Sequence, residues 1–200
     1  MSPKKNINMP GPFIIGISGG SSSGKSSVCE AIFSYLGEEN CSIIPISSGS
    51  SPKLNSFEPK SSNFKFPELA LALESLKTHP LSSQKLETPH FKGLIFPTKI
   101  ILVEGNTIFC DKQIRDVFDM KIFVQTDDDE RLARKILNNS NEKNPDPMKT
   151  IQEYRKYDKP EYELFVGPTM RFADIIIPRG SQNLPAMEIL KANLSSKTKE

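Results

Sequence analysis

The stretch Gly19-Gly20-Ser21-Ser22-Ser23-Gly24-Lys25-Ser26 has the spacing G-x-x-x-x-G-K-S, and it directly follows an apolar segment at residues 13–18. From Lys25 to Leu36, apolar residues recur at helical spacing, and Gly37 is suited to end that helix. A glycine-rich turn between a buried strand and an amphipathic helix is the context in which this spacing binds phosphate. The sequence therefore predicts a P-loop, a loop that holds the phosphates of a nucleoside triphosphate.

Each fixed position of this loop has a physical reason. Gly19 and Gly24 permit a tight turn in which backbone N–H groups converge on phosphate oxygens. Lys25 brings a positive charge to the outer phosphates, the Ser26 hydroxyl is suited to ligate Mg²⁺, and the helix N-terminus favours an anion. We therefore expect ATP or GTP, together with Mg²⁺, as cofactors. The expected nucleotide-binding residues of the loop are Gly19, Gly20, Ser21, Ser22, Ser23, Gly24, Lys25, Ser26 and Ser27.

Glu104 is the second expected element of the site, because it ends the apolar segment at residues 99–103. A carboxylate at the end of such a strand can lie beside the P-loop and hold magnesium directly or through water. The alternative is a strand-end acid without a ligand. We expect Ser26 and Glu104 to be the metal ligands.

A third candidate region begins with four acids at residues 127–130. Asp127 is a predicted helix cap, and Glu130 completes a capping-box pattern, so these acids need no metal to explain them. Arg131, Arg134 and Lys135 follow at spacings that share one helix face. They either clamp phosphate from a lid or form a solvated basic face. We take Lys25, Arg134 and Lys135 as the candidate catalytic residues.

The order of predicted elements indicates an α/β protein. It predicts a P-loop kinase fold, with a mostly parallel central sheet and helices on both faces. Residues 47–63 are rich in Ser, Pro, Lys and Asn and are expected to form a loop, and residues 79–98 are expected to be irregular. Predicted strands lie at residues 13–18, 41–46, 99–103, 121–125 and 175–177, and predicted helices at 25–36, 68–77, 148–165 and 184–194, with another starting after Asp127.

Composition excludes several classes of function. The 200 residues suit one domain, and a net charge of +2 without a long Lys or Arg run does not indicate nucleic-acid binding. We expect no membrane association, because no segment is apolar enough to span a bilayer or to resemble a signal peptide. The three separated cysteines suggest a reducing compartment. We expect a cytoplasmic protein, with the nucleus left open.

Two blocks of the sequence resemble the uridine (uridine–cytidine) kinase family of phosphoribulokinase-like P-loop kinases. The first covers residues 15–30, and the second begins at Val103-Glu104-Gly105 and ends with the family-specific stretch Ala173-Asp174-Ile175-Ile176-Ile177-Pro178-Arg179-Gly180. The resemblance implies transfer of the ATP γ-phosphate to the 5′-hydroxyl of uridine or cytidine, a step of pyrimidine salvage. It also implies that Gln182 lies near the ATP base, and that Lys135 replaces an arginine near the substrate.

The sequence departs from this family in the acceptor region. The family motif S-Q-D-x-F-Y supplies an aspartate that accepts the nucleoside hydroxyl proton, whereas Ser48 stands at that position here. A second motif, N-F-D-H-P, reads Asn63-Phe64-Lys65-Phe66-Pro67, so a cation replaces the aspartate that grips the ribose. The segment that holds the pyrimidine is shortened to Pro89-His90-Phe91. Phe64, His90 and Phe91 are the expected substrate residues.

Three functions therefore remain open. The first is a nucleoside kinase, and the second is a nucleotide-binding pseudokinase that acts through an unknown protein partner. The third is a kinase for an anionic acceptor, which Lys65 would favour. Family members often form tetramers, which leaves a homo-oligomer open. We expect a single domain over residues 1–200, with the first βαβ unit at 13–46, a divergent acceptor region at 47–98, and the remaining sheet, lid and closing helices at 99–194.

Overall fold

A five-stranded parallel sheet organises the computed structural model, which describes residues 11–46, 66–79, 84–87, 91–96, 98–140 and 145–199. The strands in chain order are β1 Phe13–Gly19, β2 Cys41–Pro45, β3 Gln84–Glu87, β4 Lys92–Ile95, β5 Ile100–Glu104, β6 Met120–Gln125 and β7 Ile175–Pro178. The sheet has the order β2-β5-β1-β6-β7, with every pairing parallel. This confirms the predicted α/β P-loop kinase fold.

Helices cover both faces of this sheet. They are α1 Lys25–Leu36, α2 Pro67–Thr78, α3 Lys112–Val117, α4 Asp128–Asn139, α5 Pro147–Glu153, α6 Lys159–Glu161 and α7 Leu184–Lys197. Wider π-helical turns at Tyr154–Asp158 and Tyr162–Val166 flank α6, and a 3₁₀ segment at Gly167–Phe172 follows. A second 3₁₀ turn lies at Gly180–Gln182. The helical stretch predicted at residues 148–165 thus extends from 147 to 172, with Pro160 inside it.

The central strand β1 is buried on both sides. Ile14, Ile15 and Ile17 are all fully buried, as expected for an interior strand of a parallel sheet. Ile14 packs in a core with α2 and α3, whereas Ile15 and Ile17 pack in a second core with α1 and α7. Because β1 lies between β5 and β6, the loop that follows it is held on a rigid scaffold.

The prediction of an irregular segment at residues 79–98 is wrong in part. β3 and β4 form an antiparallel pair there, with Gln84 opposite Ile95 and Glu87 opposite Lys92. Each strand has only four residues, and charged side chains interrupt any apolar alternation. The pairing depends on the partner strand, and this information is absent from each local stretch.

The predicted capping box at the start of α4 is also wrong. Asp127 is the N-cap residue, but its side chain makes no capping hydrogen bond. Glu130 instead pairs with Arg134 one turn later, at 2.8 Å. The acidic first turn still interacts favourably with the helix dipole. α4 ends at Asn139.

Candidate nucleotide-binding site

The predicted P-loop connects β1 to α1 at the carboxyl end of the sheet. Gly24 is the N-cap residue of α1, and its φ of 97° is a left-handed conformation that favours glycine. The Ser23 amide donates to the Gly20 carbonyl at 3.1 Å and closes the turn. The sequence thus folds locally into a tight turn that presents the N-terminus of a twelve-residue helix.

Lys25 is buried beside this turn, with only 8% of its surface exposed. Its Nζ donates to the Gly20 carbonyl oxygen at 2.8 Å. Burial lowers the pKa of the Lys25 ammonium to about 8, and the nearby Glu104 carboxylate opposes this change. A buried ammonium whose charge is only partly balanced by a nearby carboxylate is suited to bind an anion.

Ser26 and Glu104, the two expected metal ligands, meet in the structure. The Ser26 hydroxyl donates to Glu104 Oε2 at 2.9 Å. They come from different elements, the first turn of α1 and the end of β5, so the parallel pairing of β1 with β5 brings them together. A carboxylate and a hydroxyl are oxygen donors of the kind that Mg²⁺ prefers.

The cations of α4 face inward, towards the loop and the helical run after α5. Arg134 Nη1 donates to the Ser23 carbonyl at 3.3 Å, and Lys135 Nζ pairs with Asp158 at 2.5 Å. Only 21% and 20% of these two side chains are exposed. These two cations are therefore not fully solvated, and Arg134 contacts the P-loop.

Arg131 is the third cation of α4 and is fully buried. Its guanidinium stacks on the Tyr162 ring at 3.8 Å and pairs with Asp128 at 2.5 Å. It also touches the loop, because a Cβ added at Gly20 would lie 2.6 Å from Arg131 Nη1. The sequence shows only three cations on one face and does not single out the buried one.

A cavity of about 410 Å³ lies between the P-loop and α4. Gly24, Lys25 and Ser26 line one side of it, and Arg134 lines the other. Gln182, which the resemblance places near the ATP base, also lines this cavity.

The sequence reasoning missed four residues of the cavity wall: Leu137, Asn138, Arg179 and Ser181. Arg179 has a left-handed φ of 66°, which is uncommon for a residue other than glycine. The only feature of the sequence that pointed to Arg179 was its place in the family-specific stretch at residues 173–180.

Unpaired buried atoms test whether the site fits a nucleotide. In the described part of the chain, the buried side-chain polar atoms without a hydrogen-bond partner are Ser23 Oγ, Arg131 Nε, Arg131 Nη1 and Glu161 Oε1. Ser23 is in the loop and Arg131 touches it. Because buried polar atoms are normally paired, donors left over at a P-loop fit a polyanion. The residues present therefore fit the phosphates of ATP and, at Ser26 and Glu104, a magnesium ion.

Most of the expected acceptor residues lie outside the part of the chain that the structure describes. Ser48, Phe64, Lys65 and His90 lie outside the described residues. Phe91 is half-buried and packs against the core that contains α2.

Comparison with known proteins places the chain in a family. The model described as "Phosphoribulokinase / Uridine kinase family" matches residues 75–186. "Uridine-cytidine kinase 2-B" of Danio rerio is 32% identical over 203 residues, an alignment that covers 90% of this chain and 77% of that protein. The chain belongs to the phosphoribulokinase/uridine kinase family. "Uridine kinase-like protein 3" of Arabidopsis thaliana is 33% identical over 93% of this chain, but the chain spans only 43% of that relative.

Solved structures agree with this family at the level of the fold. A structure from Silicibacter sp. TM1040, whose description proposes a fructose transport system kinase, superimposes with a TM-score of 0.60 at 16% identity. The match covers 86% of this chain and 93% of that one. Among the described residues of this family member, no helix has the length and apolar character needed to cross a membrane.

Proposed function

We propose that this chain is an ATP-dependent kinase that transfers the γ-phosphate of ATP to the 5′-hydroxyl of a nucleoside, with uridine and cytidine as the first candidates. The observation that carries the proposal is the complete P-loop constellation, in which a buried Lys25 lies beside a Ser26–Glu104 pair. The uridine-cytidine kinase of Danio rerio, similar over most of its length, supports the acceptor class.

The residues of the chain suit phosphoryl transfer by positioning and electrostatics. The loop amides and Lys25 would hold the outer phosphates, and Ser26 with Glu104 would hold Mg²⁺, which neutralises phosphate charge. Arg134 is fixed against the loop through Ser23, so its charge is already in place when nucleotide binds. Preorganised cations stabilise developing charge without reorganisation at the moment of reaction.

A binding module without activity is the alternative that the sequence left open, because Ser48 offers no carboxylate. The family relationship does not favour it. Loss of a general base removes about 10² to 10⁴-fold of rate and leaves positioning intact. The lack of a carboxylate at Ser48 therefore does not by itself exclude phosphoryl transfer.

The test is an assay of the purified chain with ATP, Mg²⁺ and a panel of nucleosides, together with calorimetric titration of nucleotide. We expect a nucleoside monophosphate product from uridine or cytidine, and a loss of at least about 10³-fold in Lys25→Met. Tight binding of ATP with no product from any nucleoside would overturn the kinase proposal and support a pseudokinase.

A further inference from the structure

Glu161 is a carboxylate beside the phosphate loop that the proposed mechanism does not use. It is the last residue of α6, and the next residue, Tyr162, packs directly against the loop. A Cβ added at Gly20 would lie 2.9 Å from Tyr162 Cδ2, and the Tyr162 ring carries the Arg131 guanidinium. The residue that directly follows α6 therefore packs against the P-loop.

The Glu161 side chain is half-buried, and its Oε1 is shielded from solvent without accepting a hydrogen bond in the described part of the chain. The charged groups that act on it are Lys25 from α1, Lys135 from α4 and Asp158 from its own helical run. Lys135 already pairs with Asp158, and Lys25 already donates to Gly20. Glu161 thus lies in the electrostatic field of both site cations with one oxygen unused.

Burial and the Asp158 carboxylate raise the pKa of Glu161, while Lys25 and Lys135 act against that change. Cys110 is the other titratable group coupled to this carboxylate. A carboxylate with a raised pKa is a better base while it remains ionised, and such groups cluster at reacting centres. An unpaired buried acceptor has a desolvation penalty that a hydroxyl donor would remove.

We propose that Glu161 accepts a hydrogen bond, and then the proton, from the attacking acceptor hydroxyl. It would thereby act as the general base, a role for which the sequence has no carboxylate at position 48, where Ser48 stands. The inference rests on the proposed kinase function. In the step, the hydroxyl proton moves to Glu161 Oε1 and the hydroxyl oxygen forms a bond to the γ-phosphorus. The bond from that phosphorus to the β,γ-bridging oxygen breaks, and its electron pair leaves with ADP.

The experiment compares Glu161→Gln with Glu163→Gln. Glu163 is the matched control, because it lies two residues further along the same helical segment, is 54% exposed and pairs only loosely with Lys159 at 3.7 Å. With saturating ATP, Mg²⁺ and nucleoside, we expect kcat to fall about 10² to 10³-fold in Glu161→Gln, with the Kd for ATP within about threefold of wild type. Glu163→Gln should stay within about twofold, and Glu161→Asp should keep an intermediate rate.

Two further readouts separate catalysis from a structural role. In wild type, kcat should rise with pH as Glu161 ionises and then level off, and Glu161→Gln should lose this rise. The raised pKa in the fold means that folding is favoured while Glu161 is protonated and loses that stability as pH rises through its folded value. Glu161→Gln should therefore unfold at the same or a higher temperature than wild type at pH 7.

Failure of the role proposed for Glu161 can be distinguished from failure of the kinase proposal. A Glu161→Gln enzyme that keeps its kcat within threefold and retains the wild-type pH profile overturns the inference but not the kinase. So does a variant whose ATP affinity falls as much as its kcat. If wild type phosphorylates no nucleoside, the kinase proposal fails, and slow hydrolysis of ATP, with water as the acceptor, becomes the assay. An unchanged hydrolysis rate in Glu161→Gln then overturns the role of Glu161, whereas a 10²-fold loss supports it with another acceptor.

Discussion

A buried cation that binds phosphate lowers the stability of the fold, and Lys25 is the clearest example. Its pKa is lowered to about 8 by burial, so the folded state binds fewer protons than the unfolded state between about pH 8 and 10.5. Stability therefore rises with pH across this window, and the penalty is present in full below pH 8. Function here opposes stability.

We predict that Lys25→Met abolishes nucleotide binding and yet stabilises the chain at pH 7. A pKa unit corresponds to about 1.4 kcal/mol, and the lost hydrogen bond to Gly20 offsets about 1 kcal/mol. The fall in pKa from 10.5 to about 8 is worth about 3.5 kcal/mol, so we expect a net gain of roughly 2 to 3 kcal/mol in urea unfolding at pH 7, shrinking towards pH 10. A variant less stable than wild type at pH 7 would contradict this account of Lys25.

A second residue-scale prediction concerns Glu104. Glu104→Gln keeps an acceptor for the Ser26 hydroxyl but removes the charge that would attract Mg²⁺. We expect at least about tenfold weaker binding of ATP with Mg²⁺, and unchanged binding of ATP when Mg²⁺ is chelated. Calorimetric titration measures both, with the exposed Glu188→Gln on α7 as control. Equal losses with and without Mg²⁺ would argue against a metal ligand.

The sequence predicts those site residues whose position follows from local spacing. Lys25 and Ser26 are fixed by the loop, and Glu104 by its place at the end of an apolar strand. The burial of Arg131 and of Glu161 could not be predicted, because it arises when α4 and the helical segment at 147–172 pack against the loop. Their roles depend on contacts between elements, so no pattern within one element reveals them.

At the scale of elements, Arg131 joins α4, the helical run and the P-loop. Its aliphatic stem and guanidinium fill the space between Gly20 and Tyr162, while two of its donors are unpaired. We predict that Arg131→Ala destabilises the chain by about 2 to 4 kcal/mol, through lost packing. Arg131→Met, which keeps the stem, should recover most of this stability but not the nucleotide affinity.

Arg134→Ala on the same helix is the control for this prediction. Arg134 pairs with the exposed Glu130 at i,i+4 and adds only a long hydrogen bond to Ser23, at 3.3 Å, so its loss should cost less than about 1 kcal/mol in urea unfolding. If Arg131→Ala costs no more than Arg134→Ala, Arg131 does not join the elements in this way.

Elements were predictable from the sequence where a strong local pattern exists. β1 and α1 have long apolar runs or helical spacing, and Gly37 ends α1 as expected. The β3–β4 hairpin lacks such a pattern, since its strands are short and charged and its stability depends on mutual pairing. Asp127 has the right residue type for a capping box, but Glu130 is taken by Arg134 through a competing side-chain pair.

At the scale of the whole molecule, the site lies where the sheet presents the carboxyl end of its central strand. Hydrophobic cores on both faces of the sheet pack against β1. The end of β5, helix α4 and the turn at Gly180–Gln182 lie beside the loop that follows it. Parallel sheets bind ligands at this edge. The sequence predicts parallel strands, but the order β2-β5-β1-β6-β7 is a property of long-range pairing.

Because residues from distant parts of the chain converge on one ligand, nucleotide binding should stabilise the entire fold. A ligand at 100 times its Kd adds about 2.7 kcal/mol, which for a chain of this size raises Tm by about 5 to 10 °C. We expect this shift with ATP and Mg²⁺ in differential scanning calorimetry of wild type. Lys25→Met at the same free nucleotide concentration should show a shift below about 1 °C. Equal shifts in both proteins would mean that the nucleotide stabilises the chain without its P-loop, and the binding site would then have to be sought elsewhere.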